Sequence, residues 1–199
     1  MLRVRGLLAM VQFRYRLRQW KLCPFHLISQ LDMNRLWDRI LRKSGLPILY
    51  SQGFNPRPLL SFGPATPLGV ESKAEYLEMF LGEAIPATSL QEMFNRYLPS
   101  ALRVVEAVSV LPEAPSLVRE MKGVRYAFSF SGISSWNGVL LPAGIEVQEI
   151  RRHDGSLWVF FLFGAEKVSF SPLKFSRFLQ ENFGYPFPDK MIKEEVFFK

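Results

Sequence analysis

Apolar and polar residues alternate from Val11 to Leu17. Val11, Phe13, Tyr15 and Leu17 fall on one side and Gln12, Arg14 and Arg16 on the other, with Arg18 continuing the polar face. A period of two with one apolar face predicts a half-buried strand. From Ser29 the period changes. Ser29 and Asp32 make a Ser-x-x-Asp start that can cap a helix reciprocally, and Asp32 is also favoured by the positive end of the helix dipole. Met33, Leu36, Trp37, Ile40 and Leu41 then recur at helical spacing up to Gly45, a residue suited to the left-handed position past a helix end. Strands are expected at 59–62 and 75–81, a helix at 89–97 that ends before Pro99, and a valine-rich strand at 102–110. The order β-α-β-β-α-β is that of a ferredoxin-like unit spanning residues 10–110, in which two helices cover one sheet face and leave the other open.

Pro112 and Pro115 mark a linker over 111–118. Beyond it, strands are expected at 124–130, 145–151 and 157–163, the last two joined through Asp154-Gly155, a strong hairpin signal. Ser171-Pro172 supplies an N-cap with proline in the first helical turn. Phe175, Phe178, Leu179 and Phe183 form the apolar face of that helix, Gly184 closes it, and 196–198 is a last strand. Gly132, Gly138 and Pro142 argue against a helix in 131–142, so residues 119–199 read as a smaller, partial α+β unit. The fold class is α+β. Residues 1–9 hold two arginines and a short apolar cluster but no secretory cleavage pattern, and read as a disordered extension.

Composition narrows the class. Apolar types make up 48% and charged types 22% of the 199 residues, ordinary globular usage. No apolar run approaches the roughly 18 residues a membrane-spanning helix needs. One cysteine, Cys23, and two histidines, His26 and His153, exclude a disulfide framework, a cysteine zinc site and an iron–sulfur cluster. A reducing, cytoplasmic setting follows, no metal or cofactor is expected, and Cys23 reads as a small apolar filler. The net charge of +7 is uneven. Residues 1–112 carry 14 Lys/Arg against 8 Asp/Glu, residues 113–199 carry 11 against 10, and nothing acidic precedes Asp32. Such a localised basic surface points to a polyanionic partner, RNA first and an anionic membrane surface second.

The most distinctive stretch is 46–75, where five prolines and three glycines make a stiff, sharply turned backbone. It presents Phe54, Asn55 and Arg57 with little ordering entropy left to lose on binding. Arg35, Arg39 and Arg42 lie on one stripe of the first helix, with Asp38 placed to pair with Arg35 and Arg42. The candidate binding residues are therefore Arg14, Arg16 and Arg18 on the open sheet face, Tyr50, Ser51, Phe54, Asn55 and Arg57 in the loop, and Arg35 and Arg39 on the helix. No catalytic constellation is recognisable. His26, Asp32, Tyr50, Ser51 and Glu75 could take part in acid–base cleavage of RNA, but Asp32 reads first as a cap and Ser51 as a turn residue. A phosphate-binding glycine loop with lysine is absent.

Tyr50-Ser51, Gly53-Phe54-Asn55-Pro56, Ser61-Phe62, Pro67-Leu68-Gly69 and Ser72, Glu75 and Tyr76 follow Ser29, Leu31 and Asp32 in an order that resembles one family. It is the opening domain of the bacterial radical-SAM-linked proteins, a domain of unknown function. The likeness is dense over 26–81 and diffuse beyond. Gln30 stands where that family usually has histidine. The resemblance implies a radical SAM protein as partner, and RNA or ribosomal material nearby. With a single cysteine, the chain lacks the three-cysteine motif of radical SAM chemistry. The expected function is that of a non-catalytic accessory protein that binds RNA or presents substrate. A protein–protein adaptor without nucleic-acid binding is the alternative, and an RNA-processing or RNA-modifying enzyme comes third.

Overall fold

The computed structural model describes residues 12–164 and 171–198; the expectations for residues 1–9 and Val11 lie outside them. The strands are β1 (Phe13–Lys21), β2 (Leu60–Phe62), β3 (Glu71–Leu81), β4 (Val104–Val110), β5 (Met121–Phe130), β6 (Ile145–His153), β7 (Ser156–Gly164) and β8 (Lys190–Phe198). The helices are α1 (Gln30–Ser44), α2 (Ala87–Asn95), a single turn α3 (Leu117–Glu120) and α4 (Pro172–Phe183). All eight strands belong to one open sheet in the order β4-β1-β3-β8-β5-β7-β6, with β2 beside β3. Pairing is antiparallel except between β3 and β8, which meet in parallel where Glu71 and Ser72 face Ile192 and Lys193.

Local chemistry explains the well-formed elements. The Ser29 hydroxyl accepts from the Asp32 amide at 3.1 Å, and Gly45 takes φ +70°, so α1 begins and ends where its cap residues stand. Asp154 and Gly155, both at positive φ, turn β6 into β7. The apolar side of β1, Tyr15 and Leu17, joins Leu77, Met79 and Leu81 of β3 beneath Trp37, Ile40 and Leu41 of α1 and Leu90 and Phe94 of α2. A second core gathers Phe128 and Phe130 of β5, Phe161 and Phe163 of β7 and Phe175 of α4, and it also takes in Val70 and Ala74. Thus β3 serves both cores.

Several expected boundaries move, three of them with consequences for the packing. β3 starts at Glu71 because its first residues pair with β8. β8 runs nine residues rather than three. Its lysines and glutamates disguise it in the sequence, yet each has a partner across the sheet: Lys190 with Glu71, Lys193 with Glu75, Glu194 with Lys73 and Glu195 with Arg125. The expected linker ends in α3, and its backbone lies against β1.

That packing corrects the open arginine face. Arg14 is only 5% exposed; it donates to Glu78 at 2.6 Å and to the carbonyls of Ala114 and Pro115. Arg16 donates to Glu78 at 2.8 Å and to Glu120 at 2.7 Å, and lies 4.9 Å over the Phe198 ring. Arg18 donates to the carbonyls of Lys73 and Glu194. Residues 112–120 and Phe198 cover this sheet face, and ion pairs to Glu78 and Glu120 together with backbone carbonyls consume the three charges. The acids involved are Glu78 and Glu120.

A candidate nucleic-acid interface

The loop after α1 folds back on itself. Tyr50 and Pro58 form a bridge, Ser51 accepts the Arg57 amide on its hydroxyl at 3.0 Å, and the Ser51 amide donates to the Arg57 carbonyl at 2.8 Å. Proline flanks Arg57 on both sides and pushes Asn55 and Arg57 into extended backbone. Gly53 at φ +136° supplies a conformation that side-chain-bearing residues rarely adopt, and its φ value marks the loop tip. The result is a rigid spur with Phe54 fully exposed at its end.

The spur is fastened to α1. Arg42 pairs with Asp38 at 2.9 Å, reaches the Pro56 carbonyl at 3.4 Å, and lies 5.6 Å over the Tyr50 ring. Between spur and helix runs a groove of about 890 Å³ lined by Arg35, Arg39, Arg42 and Arg57, with Asn34 and Asn55 offering amides. Asp38 is the only acid among its lining residues. Arg35 is tied to Asp32 at 3.1 Å, and the Ser29 hydroxyl, followed by Arg35, holds the Asp32 carboxyl below the usual carboxylate range. Among the described residues, the side chains of Arg39 and Arg57 have no ion-pair or hydrogen-bond partner. The groove thus offers two uncommitted guanidinium groups, each able to grip a phosphate in a bidentate fashion.

Sequence reading and structure meet here in part. Arg35, Arg39, Asn55 and Arg57 come together on the groove, and Phe54 stands on the same spur. Tyr50 and Ser51 support the spur from within. Arg14, Arg16 and Arg18 lie elsewhere. Asn34 and Arg42 were not among the candidates; the i, i+4, i+7 arginine stripe was the signal that would have added Arg42.

A second polar cluster is sealed at the seam between the two cores. Lys193, 2% exposed, donates to the Pro64 carbonyl at 3.1 Å and to Glu75 at 3.3 Å, and Thr66 also bonds Glu75. Burial alone would raise Glu75, but Lys193, Thr66, Ser72 and Lys21 outweigh it and hold the carboxyl below its ordinary range. Lys21, also 2% exposed, is pushed below the ordinary lysine range by burial. The cleft beside Glu75, bordered by Gln19 and Gln30, measures about 10 Å³, room for one water and no more. Gln30 itself donates to Asn34 at 2.9 Å. Of the polar residues weighed for acid–base work, Asp32 caps α1, Ser51 holds the loop and Glu75 is locked in this cluster. Cys23 is exposed, correcting its reading as a core filler.

Among the described residues, no helix is long and apolar enough to cross a membrane. No curated protein sequence matches the chain. The profile of a family described as an uncharacterized protein conserved in bacteria (DUF2344) matches residues 14–158, from β1 into β7. That span includes the groove, the spur and strands from both halves of the sheet, and the chain belongs to this bacterial family.

Proposed function

We propose that the protein is a non-catalytic, cytoplasmic accessory protein that binds single-stranded RNA in the groove between α1 and the 50–58 spur. The observation that carries this reading is the lining of that groove: four arginines against one aspartate, with Arg39 and Arg57 unpaired among the described residues. Phosphates would lie along the arginines, and Phe54 would offer a ring for base stacking. The volume of about 890 Å³ leaves room for a flexible strand gripped through its backbone, with the Asn34 and Asn55 amides available to base edges. We read residues 10–110 as a ferredoxin-like unit; the strand order β4-β1-β3, with β2 also paired to β3, supports this. A radical SAM protein as working partner follows from the sequence resemblance.

The test is a gel-shift series with single-stranded RNA at rising salt. Phosphate contacts give a negative slope of log affinity on log salt of about 0.7 per contact for single strands. Arg39→Ala with Arg57→Ala should flatten it by about two contacts' worth while leaving the melting temperature in place. A slope identical to wild type would sink the reading. Exposed Leu27, Leu31 and Leu68 favour the second reading, a protein–protein adaptor. In that case RNA does not bind, and partner capture is insensitive to salt.

A further inference from the structure

We propose that Cys23, His26 and Glu71 form a binding site for a divalent transition-metal ion, zinc in the first instance, with one coordination position left open. One ligand atom from each of the three side chains lies within 4.8 Å of the other two. Zinc holds sulfur, nitrogen and oxygen at about 2.0–2.3 Å in a tetrahedron, which places its ligand atoms roughly 3.3–3.8 Å apart by that geometry. Small side-chain rotations therefore close the set.

The backbone explains why these residues meet. A single 3-10 turn, Phe25–Leu27, follows Cys23, and the His26 amide donates to the Leu22 carbonyl at 3.2 Å. The backbone thus doubles back between Leu22 and His26 and brings His26 beside Cys23. The Gly69 amide donates to the His26 carbonyl at 3.1 Å, fastening the turn to the start of β3, where Glu71 stands. The third ligand thus comes from a distant part of the sequence, which is why residue counting alone argued against a metal.

Two further observations point to an ion. His26 Nδ1 is sealed from solvent and has no hydrogen-bond partner among the described residues; coordination through it would satisfy a polar atom otherwise buried unpaired. Glu71 Oε2 is held by Lys190 at 3.0 Å, which orients the carboxylate and leaves its other oxygen for the ion, as outer-shell partners of ligating carboxylates do. A thiolate and a carboxylate neutralise a doubly charged cation, and the sulfur–imidazole–carboxylate set suits borderline-soft zinc rather than magnesium or calcium. Three protein ligands leave a place for water or for a group from a bound partner.

Because Cys23 is the chain's one cysteine, thiol chemistry reads this site alone. Untagged full-length protein, stripped with a chelator, should take up one equivalent of Co²⁺ with a thiolate-to-cobalt charge-transfer band that Zn²⁺ abolishes. Zn²⁺ should slow alkylation of Cys23 at least tenfold, with release of the thiol proton on binding. Glu71→Gln and His26→Asn keep the thiol but should lose most of that protection, while His153→Asn, remote from the site, should keep it. If either ligand variant melts early, protection and the cobalt band in the wild-type protein decide the matter. Absence of the band, alkylation indifferent to Zn²⁺, or protection lost in His153→Asn would each overturn the proposal. So would a Cys23 that alkylates rapidly at acidic pH with Zn²⁺ present, the mark of a free thiolate nucleophile.

Discussion

Glu78 is 1% exposed and accepts from both Arg14 and Arg16. This carboxylate is costly to remove, because the buried Arg14 guanidinium is left without an ion partner and half-buried Arg16 keeps only Glu120. Glu78→Gln is expected to lower unfolding stability by about 3–5 kcal/mol, read from the denaturant midpoint at constant slope. The same reasoning separates the two seam lysines. Lys193 has two hydrogen-bonding partners, whereas Lys21 has none among the described residues. Lys193→Met should cost about 3 kcal/mol, and Lys21→Met, which relieves a buried charge, less than about 1 kcal/mol by the same comparison. Acid titration provides an independent check. Glu75 has a folded pKa below its unfolded one, so its contribution is complete above the unfolded value near about 4.3. It fades as pH falls through the folded value. Glu75→Gln should flatten that acid arm of the stability curve. None of these pairings could be read from residue type, since an arginine on a polar strand face looks the same whether solvent or a glutamate covers it.

Elements with their own capping chemistry were legible. For α1, Ser29, Asp32 and Gly45 carry the information within the segment itself, so the expected helix and the observed one coincide. Ser29→Ala should cost about 1 kcal/mol, visible as a lower melting temperature with the fold retained. β8 was legible only at its apolar end, Val196–Phe198, because Lys190, Lys193, Glu194 and Glu195 break the period-two pattern that marks a strand. Their charges are answered by β3 and β5, residues far away in sequence. The spur lies between these cases. Its prolines and Gly53 marked a sharply turned segment, and the segment does fold back through the Tyr50–Pro58 bridge, but the groove needs α1 as its second wall, and Arg42 contacts the spur from that helix.

At the scale of the molecule, one sheet joins both cores. β3 sits in the first core through Leu77, Met79 and Leu81 and in the second through Ala74, and it carries the parallel contact with β8. Unfolding followed through Trp37 in the first core and Trp136 packed on the second should therefore give coincident transitions. A chain cut after residue 110 loses Glu120 and the carbonyls that receive Arg14, along with β8. It should expose the buried Arg14–Glu78 pair and fail to unfold cooperatively. Two separate midpoints in the intact chain would show that the cores are independent.

The sequence by itself determined where most helices and strands lie, which faces are apolar, and that a sharply turned, proline-rich segment follows the first helix. These are properties of short-range periodicity, capping and backbone stiffness, complete within a dozen residues. The tertiary structure decided which charges remain available. Arg14, Arg16 and Arg18 are spent on Glu78, Glu120 and backbone carbonyls, while Arg39 and Arg57, beside a groove, find no side-chain partner among the described residues, and Cys23, His26 and Glu71 converge. A charge's partner is set by the path of the chain in space, and the field of a distant carboxylate leaves no trace in the local pattern.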